Sequence, residues 1–316
     1  GYLALAPALG WFLAQDRRRE RLALAILFTM PSWFPGKLTL MLGSVEMYRG
    51  HTKGFEASLI EVLAVALIVC AALRRPTGFR WLPPGAWLYL LWCALSCLSL
   101  FGATNRSYVL MAAFKFTKAV LIYIGAFQAV RDEEDLRWVG YGLAFSLGLQ
   151  ALVGLKLRFL DGMWQVKGWF EHQNPMAMWA YLAALPTFAL ALAPATKPRD
   201  TLFYLGGVAG AALLILLSVS RAALAAFAAG AVLIILLALA RGFTFKLGLI
   251  CALGAAGTLV VSSVALNSLR ARLAEVSSRE EEHDLRDILN AQSRAMLHDH
   301  PLGVGWNNFG VANSLP

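Results

Sequence analysis

Long apolar runs recur along the chain as far as residue 266, at residues 86–100, 119–130 and 211–218 among others, and the charged residues collect in the short stretches between them. That alternation leaves few folds open. A chain that folds in water keeps a polar face on each element, whereas here 59% of residues are hydrophobic and 15% charged, away from the balance of a soluble domain. The natural solvent for such a chain is a bilayer, whose hydrocarbon core asks for about 20 apolar residues per helix. By that ruler the sequence predicts about ten spans, near residues 1–14, 22–34, 56–73, 84–102, 107–130, 138–157, 176–194, 201–219, 222–240 and 247–266. The expected fold class is all-α, a polytopic transmembrane helix bundle.

The basic residues are spaced with a rule. Arg17, Arg18, Arg19 and Arg21, then Arg74, Arg75 and Arg80, Arg131 and Arg137, Lys197 and Arg199, and Arg241 and Lys246 fall at every second connection. Lys and Arg distributed this way mark the cytoplasmic side of a membrane and favour contact with anionic lipid head groups. The net charge of +9 therefore has an explanation that needs no nucleic acid, and no single basic patch interleaved with aromatics suggests one. The opposite, external face then receives the segment 33–55, the Asn105-Arg106 turn, the loop 157–175, the turn at Arg221, and the tail beyond Leu266.

The cysteines, Cys70, Cys93, Cys97 and Cys251, all lie in apolar runs without metal-ligand spacing, which reads as small core residues. Both ends look like cuts through a longer protein. At residue 267 the composition turns charged and helix-favouring, dividing the chain into a bundle over 1–266 and the start of an external or periplasmic helical loop domain over 267–316. Within that tail Leu285, Ile288, Leu289 and Met296 share one helical stripe and Asp287, Asn290, Arg294 and His298 the opposite one. The helix is expected to stop before Pro301.

Several polar residues gather on the external face. Arg221, in Leu217-Ser218-Val219-Ser220-Arg221, lies between two apolar runs. It reads either as an arginine snorkelling to the interface or as a guanidinium binding phosphate through paired hydrogen bonds. Lys115 and Lys118, inside the fifth span, should face the bundle interior or a wet cavity, with Glu61 a partner within reach. A structural ion pair and a substrate contact are both open there. Gly168-Trp169-Phe170-Glu171-His172-Gln173-Asn174-Pro175 ends an external loop at a helix entry. Its tryptophan Trp169, with Trp164, suits an interfacial belt, while Glu171, His172 and Asn174 bring polar atoms to the mouth of a cavity. Arg294 heads the stretch that runs through His298, His300 and Pro301 to Gly303-Val304-Gly305-Trp306. A G-x-G turn lets backbone amides approach an anion. His298 and His300 read as solvated residues at a helix end, with a catalytic base the alternative; they complete no zinc motif.

Taken together, Ser218-Val219-Ser220-Arg221, the Gly168 to Asn174 segment, and Arg294 followed by His300-Pro301-Leu302-Gly303-Val304-Gly305-Trp306 resemble the O-antigen ligase and polymerase family of membrane glycosyltransferases. The resemblance implies transfer of a glycan from a polyprenyl-diphosphate carrier to an acceptor hydroxyl, on the outer face of the bacterial cytoplasmic (inner) membrane, with no cofactor and no metal. The acceptor would be a growing glycan, the lipid A core of lipopolysaccharide, or a protein hydroxyl. It implies that Arg221 and Arg294 hold the diphosphate. The family's basic histidine is expected beyond residue 316, so no residue here takes that role. Inversion at the anomeric carbon is expected if a base activates the acceptor for attack opposite the leaving group. Two other readings are a transporter or flippase of lipid-linked sugars, which also needs buried basic residues, and a non-catalytic subunit of a polysaccharide assembly system.

Overall fold

The computed structural model describes residues 5–30, 39–44, 54–75, 78–252, 254, 277–301 and 303–312. The chain is mostly helical: α1 (Leu5–Ala14), α2 (Arg17–Thr29), α3 (Leu59–Arg74), α4 (Ala86–Cys97, continued by a 3-10 turn Leu98–Leu100), α5 (Arg106–Ala129), α6 (Glu133–Phe159), α7 (Gln173–Leu192), α8 (Pro198–Ser218), α9 (Arg221–Ala240), α10 (245–252), α11 (Ser277–Asp299) and α12 (Phe309–Ala312). Five of these, α5 to α9, are long and apolar enough to cross a membrane, which fits a multi-pass membrane protein. The expectation of about ten spans is thus met in half. At 1.5 Å per residue α2 reaches about 20 Å and α3 about 24 Å, short of the hydrocarbon thickness. The tenth expected span lies mostly outside the described residues, as do most of the segment 33–55 and the first part of the tail.

Beside the helices there is one short strand pair. Strands β1 (Thr39–Ser44) and β2 (Gly54–Ser58) pair antiparallel, Thr39 opposite Ser58 and Ser44 opposite Gly54, with an irregularity between Met41 and Gly43. The residues assigned to the start of the third span are therefore strand, and α3 begins only at Leu59. Its start is set by Glu61, whose carboxylate accepts the backbone N–H of Ser58 (2.6 Å) and the Ser58 hydroxyl.

The chain divides into two compact units. One comprises Leu13–Lys37 and Ala129–Leu266. In it α2, α6 and α8 run side by side in the same direction. Arg17 meets Asp135, Thr29 donates to the carbonyl of Gly142, Arg137 meets Asp200, and Gly154 lies against Leu214. α7 runs back along them and α9 packs on α7, where Gly230 abuts Leu185. α9 buries the least of the long helices. The helices approach through small residues. A Cβ on Gly142 would strike the backbone of Ala25, and one on Gly207 would sit 2.6 Å from the Cα of Ala144. Where surroundings are as apolar as the side chains, such close van der Waals approach is the force that selects helix partners.

The parallel course brings four of the connections onto one end of this unit. Asp135, fully buried, accepts from Arg17, from Arg21 Nε (2.8 Å), and from the backbone amides of Arg131 (2.8 Å) and Asp132 (3.1 Å). Asp132 reciprocates by accepting from the Asp135 amide at 2.9 Å, a capping box that opens α6. Glu20, 1% exposed, pairs with Arg17 (2.7 Å) and Arg131 (2.6 Å). Asp200 takes Arg137 and the hydroxyl of Tyr141, each at 2.7 Å. Lys246 donates to the carbonyl of Ala193 at 3.1 Å. The arginines expected to touch lipid head groups are, at Arg17, Arg21, Arg131 and Arg137, bound to the protein's own carboxylates.

The other unit comprises Gly1–Phe12, Leu38–Gln128 and Asn267–Pro316. Here the Gly10 position lies against Val69 and the carbonyl of Ala66, and Gly125 against the backbone of Ala64, so α1 and α5 both approach α3 closely. Phe55 of β2 packs on Phe114 of α5 at 5.4 Å. Cys70 and Cys93 are buried, and Cys97 and Cys251 partly so.

Adjacent glycines of α8 give a sharp test. Gly206 has open space where a Cβ would go and Gly207 does not. Gly206→Ala should raise stability by roughly 0.5–1 kcal/mol through helix propensity, and Gly207→Ala should lower it by about 1–3 kcal/mol through overpacking, read as opposite shifts of the thermal midpoint in detergent. Asp135→Asn, which removes the buried charge that faces two arginines and turns one of its two acceptor oxygens into a donor, should lower stability by about 2–3 kcal/mol; this is below the full value for a buried pair because Arg17 and Arg21 can still reach water.

Candidate functional site

At the end of the first unit away from the buried acids, α8 passes into α9 through a strained elbow. Val219 sits in the left-handed region at φ 59°, which a β-branched side chain rarely adopts. Buried Ser218 holds it, donating to the carbonyl of Ile215 (2.7 Å) and accepting the amide of Ser220 (3.3 Å). The next residue, Arg221, is the first of α9 and is exposed. Among the described residues no acidic side chain pairs with it, and the Ser220 side chain makes no capping bond. A cation there faces the positive end of the helix dipole, beside amides of the first turn that α9 itself leaves unmatched.

The loop between α6 and α7 is tied to this elbow. The amide of Val166 donates to the carbonyl of Leu217 at 3.1 Å. Fully buried Gln150 of α6 accepts the amide of Trp169 (3.3 Å), and a Cβ on Gly168, whose φ is +57°, would collide with that same oxygen. Arg158 packs over the Trp164 ring at 4.7 Å and donates to the carbonyls of Met163 and Trp164. The segments 168–174 and 218–221 are thereby fastened to one another through 166 and 217. α7 opens at Gln173, as the Asn174-Pro175 pair predicts. His172 is its N-cap, its Nδ1 accepting the amide of Asn174 at 3.2 Å. His172, Asn174 and Glu171 are all exposed, and the bond that His172 makes is this structural one.

In the second unit the two lysines part company. Lys118 turns inward and pairs with Glu61 at 3.0 Å while also donating to the carbonyl of Glu56. The partner expected from sequence is the partner found, and the pair joins α5 to the start of α3 and to β2. Lys115 is exposed rather than interior; three residues apart on a helix places the two about 60° apart in azimuth, enough to separate an inward from an outward position. Tyr108, a heptad before Lys115, is buried beside Met111 and Phe55.

The tail helix α11 ends at Asp299, before Pro301. Arg294, His298 and His300 are exposed; His298 meets the neighbouring Asp299, at 3.1 Å. Ile288 and Leu289 of the apolar stripe are exposed too, and the Leu285 side chain lies outside the described residues. The turn after α11 is docked. The amide of Trp306 donates to Ser99 Oγ (3.0 Å), and its ring stacks on Phe116 at 4.7 Å and meets Trp92 edge-on at 5.3 Å. Of the amides that were candidates to meet an anion, those of Gly303, Trp306 and Asn308 are bonded to His300 O, Ser99 and Gly305 O.

Sequence reasoning passed over Gln150 and Asn308. The first carried a signal, an amide side chain inside an apolar span; the second, beside Trp306, carried none. Among the described residues no cluster of His, Cys, Asp or Glu is arranged to hold a metal. Compared with known protein families, curated proteins and solved structures, the chain finds no match. The class that fold and site define is a helical protein with membrane-spanning-length helices and exposed cations at helix ends.

Relaxing the elbow tests its strain. Val219→Gly should raise stability by about 1–2 kcal/mol, the size of the left-handed penalty, seen as a higher thermal midpoint. An unchanged or lower midpoint would mean that Val219 is not strained there.

Proposed function

We propose that this protein is a membrane glycosyltransferase of the O-antigen ligase and polymerase type. It moves a glycan from a polyprenyl-diphosphate carrier to an acceptor hydroxyl on the outer face of the bacterial inner membrane. The observation that carries the reading is Arg221. A guanidinium at the first position of an apolar helix, opposed by the dipole and lacking an acidic partner among the described residues, is relieved by a bound anion that also meets the first-turn amides. Arg294, exposed on α11 ahead of its last turn, is the second donor-binding residue, and Lys115, His172 and Asn174 are further substrate contacts. In this reading the buried-acid end, with its basic connections, faces the cytoplasm and the elbow faces outward.

The chemistry suits fixed cations. As the bond between sugar C1 and the diphosphate oxygen breaks, negative charge grows on the leaving diphosphate and the arginines stabilise it. The acceptor oxygen bonds to C1 from the opposite face and gives its proton to a base. Lys118, paired with Glu61 at 3.0 Å, would meet the donor only by exchanging that carboxylate for phosphate.

Purified protein, given a polyprenyl-diphosphate-linked glycan, a panel of acceptors and EDTA, should release polyprenyl diphosphate and form inverted product. Arg221→Ala and Arg294→Ala should each lose about 100-fold or more in rate, and Lys at either position should restore little, since it lacks the planar two-pronged geometry. Folded protein that transfers nothing yet carries lipid-linked sugar across liposomes would replace this reading with a flippase, and full activity of both Lys variants would point to a non-catalytic role for the charges.

A further inference from the structure

The docked turn of the tail contains one side chain whose bonds are unusually complete. Asn308 is fully buried; its Oδ1 accepts the amide of Asn105 (2.8 Å), and its Nδ2 donates to the carbonyls of Asn105 (3.1 Å) and Trp306 (3.0 Å). It pairs with both backbone groups of a residue 203 positions away, as a strand neighbour would. The rest of the turn is shaped for the same contact. Gly305, at φ +96°, lies so close to Ala103 that a Cβ would stand 2.6 Å from the alanine's own, and Asn307, at φ +61°, reaches the carbonyl of Tyr108 at 3.4 Å. His300 bonds back to Met296 O (2.8 Å) and Gly303 to His300 O (2.7 Å), so the helix end bearing Arg294 is joined to the docked turn by a hydrogen-bonded link.

We propose that Asn308 is a positioning residue: by locking the 303–308 turn onto the corner between α4 and α5 it fixes where Arg294 presents its guanidinium to the diphosphate of the donor. The inference rests on Arg294 binding that donor. Ile288, Leu289 and Leu297 of α11 are exposed while Gln292 and Met296 are half-buried, and the turn that follows is bonded to Ser99, Asn105 and Tyr108, so the docked turn is one of the contacts that hold the helix end in place. Fixing an exposed arginine in this way removes conformational freedom that donor binding would otherwise have to remove, and the effect is felt in donor affinity rather than in the chemical step.

The test uses the full-length protein and a synthetic polyprenyl-diphosphate-linked sugar. Asn308→Asp preserves size but sets a carboxylate against two carbonyl oxygens, and Asn308→Ala removes all three bonds. Hydrogen exchange should show the peptides over 99–108 and 303–309 losing protection in both variants while the long helices stay protected. Donor KM should rise about tenfold, the equivalent of one or two lost hydrogen bonds, with kcat within about threefold of wild type. Trp306→Phe, which keeps the bond to Ser99 and an aromatic ring on Phe116, should stay within about twofold on both readouts. Lost protection with an unchanged donor KM would make the turn merely structural and overturn the inference, as would protection retained in Asn308→Asp. A tenfold loss in Trp306→Phe with the turn still protected would overturn it by showing that the ring itself touches substrate. A wild type that neither binds nor transfers the donor would instead sink the glycosyltransferase reading, and this inference with it.

Discussion

Glycine and alanine set how near the helices come, and most of the architecture depends on that distance. Gly142 lies on Ala25, Gly207 on Ala144, Gly125 on Ala64, and Gly10 on the backbone at Ala66; in each case a helix backbone is among the nearest neighbours. In a chain this apolar, hydrophobicity does not distinguish one helix face from another. Small residues do, because only they let backbones meet, and the larger side chains then have one arrangement in which to interleave. The side-by-side course of α2, α6 and α8 follows from these contacts, and with it the alignment of their ends.

Alignment of ends is what makes the buried acids tolerable. Asp135, Glu20 and Asp200 are all nearly inaccessible, and an isolated carboxylate in such a place would be strongly unfavourable. Each is met by an arginine from a neighbouring helix start, and Asp135 by two backbone amides as well. The Lys118–Glu61 pair plays the same part in the other unit. Removing one member of such a set harms more than its formation helps, so these networks specify which helix starts belong together rather than supplying most of the stability.

The exposed cations are a different population. Arg221 and Arg294 sit in different units, the first opening α9 and the second ahead of the last turn of α11, and among the described residues each is outside the ion pairs that absorb Arg17, Arg21, Arg131, Arg137 and Lys118. The local scaffolding around each is rigid: a strained elbow and a loop anchored by Gln150 in one case, a docked turn in the other. Strain at Val219 and a buried amide side chain inside an apolar helix are local rules broken where a functional site is proposed, which is where such exceptions are expected to collect.

Periodicity and charge spacing were enough to place the long helices, the entry of α7 beside Asn174-Pro175, the end of α11 before Pro301, the grouping of four of the five basic connections and the pairing of Lys118 with Glu61, because each is written in local composition or helical phase. They could not show that residues 39–58 contain a strand pair, since a short apolar run is ambiguous between strand and helix until its partner is known. Nor could they show that the arginines of the basic connections would turn to Asp135, Glu20 and Asp200 instead of to lipid, or that Trp306 and Asn308 would dock beside Ser99 and Asn105. Those outcomes are contacts between residues far apart in the chain. The sequence by itself determined which segments are helical and where charge resides; only tertiary packing decided which charges are spent inside the protein and which remain exposed, because that depends on which helix ends the glycine contacts bring together.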